Sequence, residues 1–345
     1  MPLYPLKFKP RFVEKIWGGR KFETVLNKPL PAGKLIGESW EIYDFPPGVV
    51  EGEPGWVSAT VANGPLAGRT LHDLVVDHGM DLHGDVPLVG EHGQFPILIK
   101  FLDAREDLSV QVHPPQAYAD AHPGAHLKTE AWYVMQHDPN ARILKGLAPG
   151  VTREQYKSAI EAGTVEKLTK AIRVKAGDCF YLPSGRVHAL GAGILVAEVQ
   201  TPSDTTYRVF DFNRVDPSTR QPRKLHVGQA LDCIDFTGQP EEPQPRSHVA
   251  GLFTTVTKLV SSPFFTVEKV RMTEGVEEPV PYDEPVIWMM LQGSATVRVN
   301  GVKEPTTITA GETVLLPAVM DAPIIRTETD CVWLEVTFPT KAAGA

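Results

Sequence analysis

The stretch "SVQVHPP", residues 109–115, combines polar and apolar side chains in what reads as a short strand. Since side chains alternate faces along a strand, Ser109, Gln111 and His113 point one way and the two valines point the other. An amide oxygen and an imidazole nitrogen on one face are both able to ligate a metal ion. The spacing therefore predicts that this face contributes to a functional site.

Two later segments carry side chains of matching chemistry. Glu130 begins "EAWYV", and His188 lies in "PSGRVHAL". With Gln111 and His113 they form a set of two imidazoles, one carboxylate and one amide oxygen. Such a set suits a borderline divalent metal such as zinc and leaves room for water or substrate, whereas a structural zinc site more often uses thiolates. The four residues predict a catalytic centre with one zinc ion per chain.

Each of these residues also has a simpler interpretation. His113, directly before two prolines, could be a hydrogen-bonding residue at a strand end. Glu130 could be solvated at a strand start, and His188 could be a satisfied histidine near a turn. The spacings of 17 and 58 residues between His113, Glu130 and His188 form no compact metal motif. The metal hypothesis therefore depends on the fold bringing the segments together.

The fold class follows from the turn residues. The 345-residue chain contains 29 glycines and 31 prolines, which separate short apolar runs such as "FPILIKFL", "AWYVM" and "GILVAEVQ". Many short strands with frequent turns predict a β-sandwich or barrel. Only residues 65–79 and 152–172 have a helical pattern, which is too little helix for an alternating α/β sheet.

Charge and apolar content exclude several classes of protein. The formal charge is −8 and there is no basic run, which argues against a nucleic-acid surface. No apolar stretch has the length of a signal peptide or a membrane span, so we expect a cytoplasmic protein with a small-molecule partner and no membrane association. Cys179, Cys233 and Cys331 are far apart and are predicted to be buried free thiols.

One pattern of strands occurs twice. Each copy consists of a hairpin, an "AG(D/E)" turn and a strand that ends in Leu-Pro. The first copy reads "AWYVMQHDPNARILKGL" followed by "VKAGDCFYLPSGRVHAL", and the second reads "IWMMLQGSATVRVNG" followed by "ITAGETVLLPAVMDAPI". The repeat predicts two related β-sandwich domains, although antiparallel sandwiches in general can share such turns. Residues 235–252 read as a linker. We therefore expect a metal-binding domain over 1–240 and a domain over 246–345 that lacks a counterpart of His188.

Six stretches together make the chain similar to a known family: "KPRFVEKIWGGRKFETVL", "KLIGESWEIYDFPPG", "FPILIKFLDAREDLSVQVHPP", "KTEAWYVM", "GDCFYLPSGRVHALGAGILVAEVQ" and "SDTTYRVFDFNR". Over nearly its whole length the chain resembles the type I phosphomannose isomerases, in particular the shorter bacterial form. The resemblance implies an all-β dominated fold of cupin-type double-stranded β-helix, or jelly-roll, sandwiches in tandem with a few short helices. It also implies a zinc-dependent isomerase that interconverts mannose 6-phosphate and fructose 6-phosphate through an enediol.

The resemblance also assigns residues by position. The family's zinc ligands correspond to Gln111, His113, Glu130 and His188, and its active-site arginine corresponds to Arg208. Lys100, Ser109, Lys128 and Glu198 match further pocket residues. Trp17 lies in a matched stretch and is expected either to line the substrate pocket or to pack in the core. Longer members have a histidine where this chain has Leu127, so the acid for sugar ring opening stays unassigned.

The reaction needs a base and fixed positive charge. Glu198 is the first choice for the base, because a carboxylate in an otherwise apolar strand has a raised pKa unless it is paired. Lys128 or a metal-bound water are the alternatives. Arg208 and Lys128 would stabilise negative charge on an enediolate or a phosphate.

Two other functions compete with the isomerase. Two histidines and a carboxylate on a β-sandwich can hold non-haem iron in an oxygenase, and the fold could also serve a non-catalytic regulator that binds sugar phosphates. The cations Lys100, Lys128 and Arg208 favour an anionic phosphosugar as the ligand. We expect a monomer or a homodimer.

Overall fold

The computed structural model describes residues 2–50, 52–216, 219–238, 244 and 247–339. Short strands dominate it, as predicted. The strands are β1 (Leu6–Lys7), β2 (Arg11–Gly19), β3 (Ile36–Ile42), β4 (Asp44–Phe45), β5 (Val57–Ser58), β6 (Leu98–Ala104), β7 (Val110–Val112), β8 (Glu130–His137), β9 (Arg142–Leu147), β10 (Thr169–Arg173), β11 (Cys179–Leu182), β12 (His188–Leu190), β13 (Ile194–Gln200), β14 (Tyr207–Phe210), β15 (His248–Ala250), β16 (Thr254–Ser261), β17 (Thr266–Met272), β18 (Glu277–Pro279), β19 (Val286–Gln292), β20 (Ser294–Arg298), β21 (Thr306–Thr309), β22 (Thr313–Leu316), β23 (Ile324–Thr327) and β24 (Cys331–Thr337). The helices are α1 (Lys21–Thr24), α2 (Leu71–His78), α3 (Met80–His83), α4 (Gln116–Ala121), α5 (Arg153–Glu161) and α6 (Val227–Cys233), with a 3-10 turn at Val165–Leu168.

Two sheets form the first sandwich. One has the strand order β11-β8-β13-β6-β3-β2 and the other the order β10-β9-β12-β7-β14. An apolar cluster that includes Leu102, Trp132, Ile143 and Leu190 joins the two sheets. The opposite face of the six-stranded sheet packs against the C-terminal part of the chain in a second, larger cluster. Strand β13 is consequently buried at all seven positions, which explains its nearly continuous apolar sequence.

The second sandwich repeats the strand pairing of the first. In the first, β8 pairs with β11 and β13 while β9 pairs with β10 and β12. In the second, β19 pairs with β22 and β24 while β20 pairs with β21 and β23. The predicted repeat is therefore confirmed. Even a side-chain pair recurs, since Trp132 lies opposite Glu198 and Trp288 lies opposite Glu335.

The N-terminal strand β1 forms one edge of a sheet in the second sandwich. Strand β1 belongs to the seven-stranded sheet β1-β22-β19-β24-β17-β16-β15, where Leu6 lies opposite Leu315. The N-terminal strand thus completes a sheet whose other strands all lie beyond residue 247. No helix in the described ranges is long and apolar enough to cross a membrane. The division into 1–240 and 246–345 stays a prediction.

Some predicted elements have different bounds. The helical stretch 152–172 is helix only to Glu161, because Gly163 adopts a φ of +66° and the chain continues into β10, which pairs with β9. Within 65–79 the helix starts only at Leu71, because Thr70 is its N-cap and forms a capping box with Asp73. The linker prediction 235–252 is wrong at its end, where β15 forms; residues 239–243 and 245–246 lie outside the described residues.

Other departures concern short helices and one thiol. The sequence pattern missed α1, α3, α4 and α6, which have four, four, six and seven residues and are too short for a clear period. All three cysteines are free, as predicted. Cys233 and Cys331 are buried, but Cys179 is only half-buried, so the burial prediction is wrong for that residue.

Candidate active site

The predicted metal ligands converge from three strands. His113 directly follows β7, Glu130 begins β8 in the facing sheet, and His188 begins β12. Their ligand atoms all lie within 4.8 Å of one another, and all three side chains are buried. Gln111, on β7 opposite His188, has its Nε2 3.4 Å from the His188 Nε2. The structure therefore holds a two-histidine, one-carboxylate cluster with an amide beside it.

The backbone fixes the tautomer of both histidines. Nδ1 of His113 lies 3.0 Å from the carbonyl oxygen of Thr205, and Nδ1 of His188 lies 2.8 Å from that of Arg186. A carbonyl oxygen only accepts, so each Nδ1 must carry the proton and donate it. In the neutral rings, each Nε2 therefore presents a lone pair to the cluster.

Those lone pairs face a carboxylate. The Nε2 of His113 is 3.2 Å from Oε1 of Glu130, and the Nε2 of His188 is 3.5 Å from Oε2. Burial, with Lys128 adding to it, lowers the pKa of His113 to about 3, and burial also lowers the pKa of His188, so both rings are neutral near pH 7. Within the part of the chain that the structure describes, His113 Nε2 and Glu130 Oε2 have no hydrogen-bond partner although both atoms are buried. Three acceptors facing one another in this way fit a bound cation.

Buried ion pairs surround the cluster. Lys128 Nζ is 3.1 Å from Glu130 Oε1, and Lys100 Nζ is 3.0 Å from Glu198 Oε2. The indole Nε1 of Trp132 donates to the other oxygen of Glu198 over 3.0 Å. Burial, and next to it the neighbouring Glu130, raise the pKa of Glu198 against the lowering effect of Lys100, and the result is a pKa of about 7. The base chosen from the sequence is thus a buried carboxylate that titrates near neutral pH.

Arg208 lies on the outer strand of the five-stranded sheet, opposite Gln111. Its Nε donates to Ser109 Oγ over 3.2 Å, and that hydroxyl donates to Gln111 Oε1 over 3.3 Å. Its Nη1 donates to the carbonyl oxygen of Lys224 over 3.1 Å. The guanidinium is half-buried, so it combines fixed positive charge with access to solvent. Arg208, Ser109 and Gln111 therefore form one connected group.

Three charged residues beside Lys100 and Lys128 were not singled out from the sequence. Oε1 of Glu38 lies 3.0 Å from Lys15 Nζ, and its Oε2 lies 3.9 Å from Lys100 Nζ. Glu38 thus connects strand β3 to the Lys100–Glu198 pair. Burial raises the pKa of Asp204, which also interacts with Lys15 and Lys128. Glu38 lies in the matched stretch "GESWEIY" and Asp204 in "SDTTYR", and these positions were the available signal.

Trp17 lies in the apolar core of the first sandwich. Its side chain is 4% exposed and belongs to the apolar cluster between the two sheets of the first sandwich. That position supports core packing, and a role in the substrate pocket stays a prediction. A separate cavity of about 640 Å³ is lined by Gln94, His126, Leu127, Phe264 and other residues; none of these lining residues is lysine, arginine or a member of the metal cluster. It does not suit an anionic sugar.

The fold and the site define a tandem cupin-type protein whose first sandwich contains a cluster, His113, Glu130 and His188, that could hold a metal ion. A family model, phosphomannose isomerase type I, catalytic domain, matches residues 6–145. A mannose-6-phosphate isomerase of Streptococcus mutans is 38% identical over 316 residues, which cover 91% of this chain and 92% of that protein. A probable mannose-6-phosphate isomerase of Bacillus subtilis is 35% identical and covers 91% and 94%.

A crystal structure shows the same similarity. The mannose 6-phosphate isomerase of Bacillus subtilis superposes with a TM-score of 0.85 at 31% identity, covering 97% of this chain and 100% of that one. The chain belongs to the type I phosphomannose isomerases, and it is an isomerase.

Proposed function

We propose that the protein interconverts D-mannose 6-phosphate and D-fructose 6-phosphate through an enediol and uses one zinc ion. The substrate is inferred from the names of the relatives, and the metal from the chain's own residues. The observation that carries the metal is the carboxylate of Glu130 between two imidazole nitrogens that both present lone pairs. His113, Glu130 and His188 would hold the ion. Gln111 presents its Nε2 to His188, so its amide would have to turn over for the oxygen to join the set.

A bound zinc ion supplies a Lewis acid that stabilises negative charge on substrate oxygens. The protein's part is to keep its ligands oriented: the carbonyls of Thr205 and Arg186 fix the two imidazoles, and Lys128 fixes one oxygen of Glu130. Such second partners maintain ligand orientation and basicity.

Glu198 would move the proton between C1 and C2 of the open-chain sugar. Its pKa of about 7 suits a base that must accept and return a proton near neutral pH. Lys100 and Trp132 hold the two carboxylate oxygens in place. Lys128 is the alternative base, but its contact with Glu130 favours a role as a cation beside the ligand.

Arg208 would supply positive charge toward the enediolate or the phosphate. Ser109 and Lys224 hold its guanidinium from two sides, which fixes that charge before the substrate binds. Lys100 and Lys128 add to a positive environment that suits a phosphosugar. We expect the enzyme to act in the cytoplasm as a monomer or a homodimer.

The test measures turnover and metal on the same preparation. A coupled assay follows fructose 6-phosphate formation from mannose 6-phosphate, and elemental analysis counts zinc per chain. We expect about one ion per chain, loss of turnover on chelation, and recovery when zinc is added. His188→Ala should lose zinc and turnover together. His122→Ala, at an exposed histidine, is the matched control. Full turnover in verified metal-free protein would contradict the proposal, and iron with oxygen consumption would indicate an oxygenase.

A further inference from the structure

Arg208 occupies a strand with a neighbour on one side only. Strand β14 is the last in the order β10-β9-β12-β7-β14, and β7 lies on its inner side. The outer side of an edge strand presents unpaired N–H and C=O groups, which need partners from elsewhere in the chain when they are shielded from water. The position of Arg208 therefore depends on what contacts this outer side.

One residue serves both backbone groups of Arg208. The backbone N–H of His226 donates to the carbonyl oxygen of Arg208 over 2.8 Å. The backbone N–H of Arg208 donates to the ring Nδ1 of His226 over 3.3 Å. Since both groups of Arg208 point away from β7, Arg208 and Gln111 form a non-hydrogen-bonded pair, in which opposite side chains lie closest together. His226 thus fixes the edge strand at the one position that faces a metal-ligand candidate.

The segment that carries His226 also contacts the other end of the arginine. Two residues earlier, the carbonyl oxygen of Lys224 accepts from Nη1 of Arg208. His226 itself directly precedes α6, whose Ala230 N–H donates to the His226 carbonyl. The helix therefore anchors a short segment, residues 224–226, that holds Arg208 at both its backbone and its guanidinium.

We propose that His226 is a positioning residue for Arg208 in the isomerase reaction. Its ring Nδ1 must act as an acceptor, so the proton lies on Nε2, and the imidazole replaces one strand-to-strand hydrogen bond. The proposal rests on the proposed role of Arg208. The effect of His226 is on the placement of the guanidinium relative to the reacting sugar, so it acts on kcat.

Amide substitutions test the position of the acceptor. In His226→Asn the Oδ1 can take the place of Nδ1, whereas in His226→Gln the acceptor lies one bond further out, and His226→Leu removes it. We expect the Leu and Gln variants to lose roughly tenfold in kcat with little change in KM. The Asn variant should recover most of that loss. All three should keep their zinc. His122→Leu is the matched control, since His122 is exposed and stacks on Tyr118.

A double-mutant cycle with Arg208→Ala separates positioning from general stability. If His226 acts through the arginine, His226→Leu should change kcat by less than about twofold in the Arg208→Ala background. Equal losses in both backgrounds, or an Asn variant no better than Gln, would overturn the inference. Near-normal activity of Arg208→Ala itself would instead refute the role of the arginine in the proposed function.

Discussion

The metal hypothesis predicts a specific dependence of thermal stability on free zinc. An ion that binds only the folded state adds about 1.4 kcal/mol to the free energy of unfolding for each tenfold rise in its concentration above Kd. The described residues contain a single cluster of this kind, so the increment is that of one ion. A chain of 345 residues has an unfolding entropy of about 0.7 kcal/mol/K near its midpoint. The expected slope is therefore about 2 °C in Tm per decade of free zinc.

The assay is a thermal melt in zinc buffers, starting from chelated protein. The metal-free protein should still fold cooperatively, because both sandwiches have large apolar cores that do not involve the cluster. In His188→Ala the rise should begin only at much higher zinc concentration, while His122→Ala should follow the wild type. A Tm independent of zinc in the wild type would refute the reasoning from the facing lone pairs, and a slope near twice this value would indicate a second ion.

Three further predictions concern the buried charges. Lys100→Met should lower the free energy of unfolding in urea by about 3–5 kcal/mol, because it removes the buried cation that the carboxyl groups of Glu198 and Glu38 share. Arg105→Met, at an exposed ion pair, should cost less than about 1 kcal/mol, and similar losses in the two variants would contradict the burial argument. Although burial raises the pKa of Glu38, Lys15 and Lys100 outweigh it and hold that pKa at about 2. Glu38 therefore stabilises the fold above its ordinary pKa of 4.5 and loses this effect as the pH falls toward 2. Glu38→Gln should flatten the curve of unfolding free energy against pH between these two values. An unchanged curve would argue against the pairing of Glu38 with the lysines. Glu198→Gln should keep its zinc and lose on the order of 10²–10⁴ in kcat; near-normal turnover would move the proton transfer to Lys128.

The sequence was sufficient for the strand-rich fold and for the repeat. Alternation and turn residues are local signals, and the pairing of β8 and β9 recurs in β19 and β20 as the repeat predicted. Helix ends were less accurate because they depend on partners distant in sequence. After Gly163 the chain makes a 3-10 turn and then, from Thr169, pairs with β9, which no local pattern in 152–172 reveals.

The site was predicted in part. His113, Glu130 and His188 could be proposed because their side-chain types are unusual in strands and suit one metal. Glu38 and Asp204 could not, since an acidic residue in a strand or turn has many ordinary roles until its neighbours are known. The recurrence of an indole donating to a buried carboxylate, Trp132 to Glu198 and Trp288 to Glu335, also appears only in three dimensions. The recurrence indicates that the Trp–Glu pair belongs to the architecture of both sandwiches. In the first sandwich Lys100 also contacts the glutamate of the pair.

The position of β1 has a consequence for synthesis of the chain. Leu6, fully buried against β22, lies roughly 300 residues before its partner Leu315. At about 5–20 residues per second a ribosome needs some 15–60 s to make that stretch, and during this time the N-terminal strand has no sheet to join. Until β22 is made, the segment around Leu6 can contact only partners nearer in sequence, such as Val61, which lies opposite Phe8. The pairing of β1 with β22 is thus among the last contacts to form.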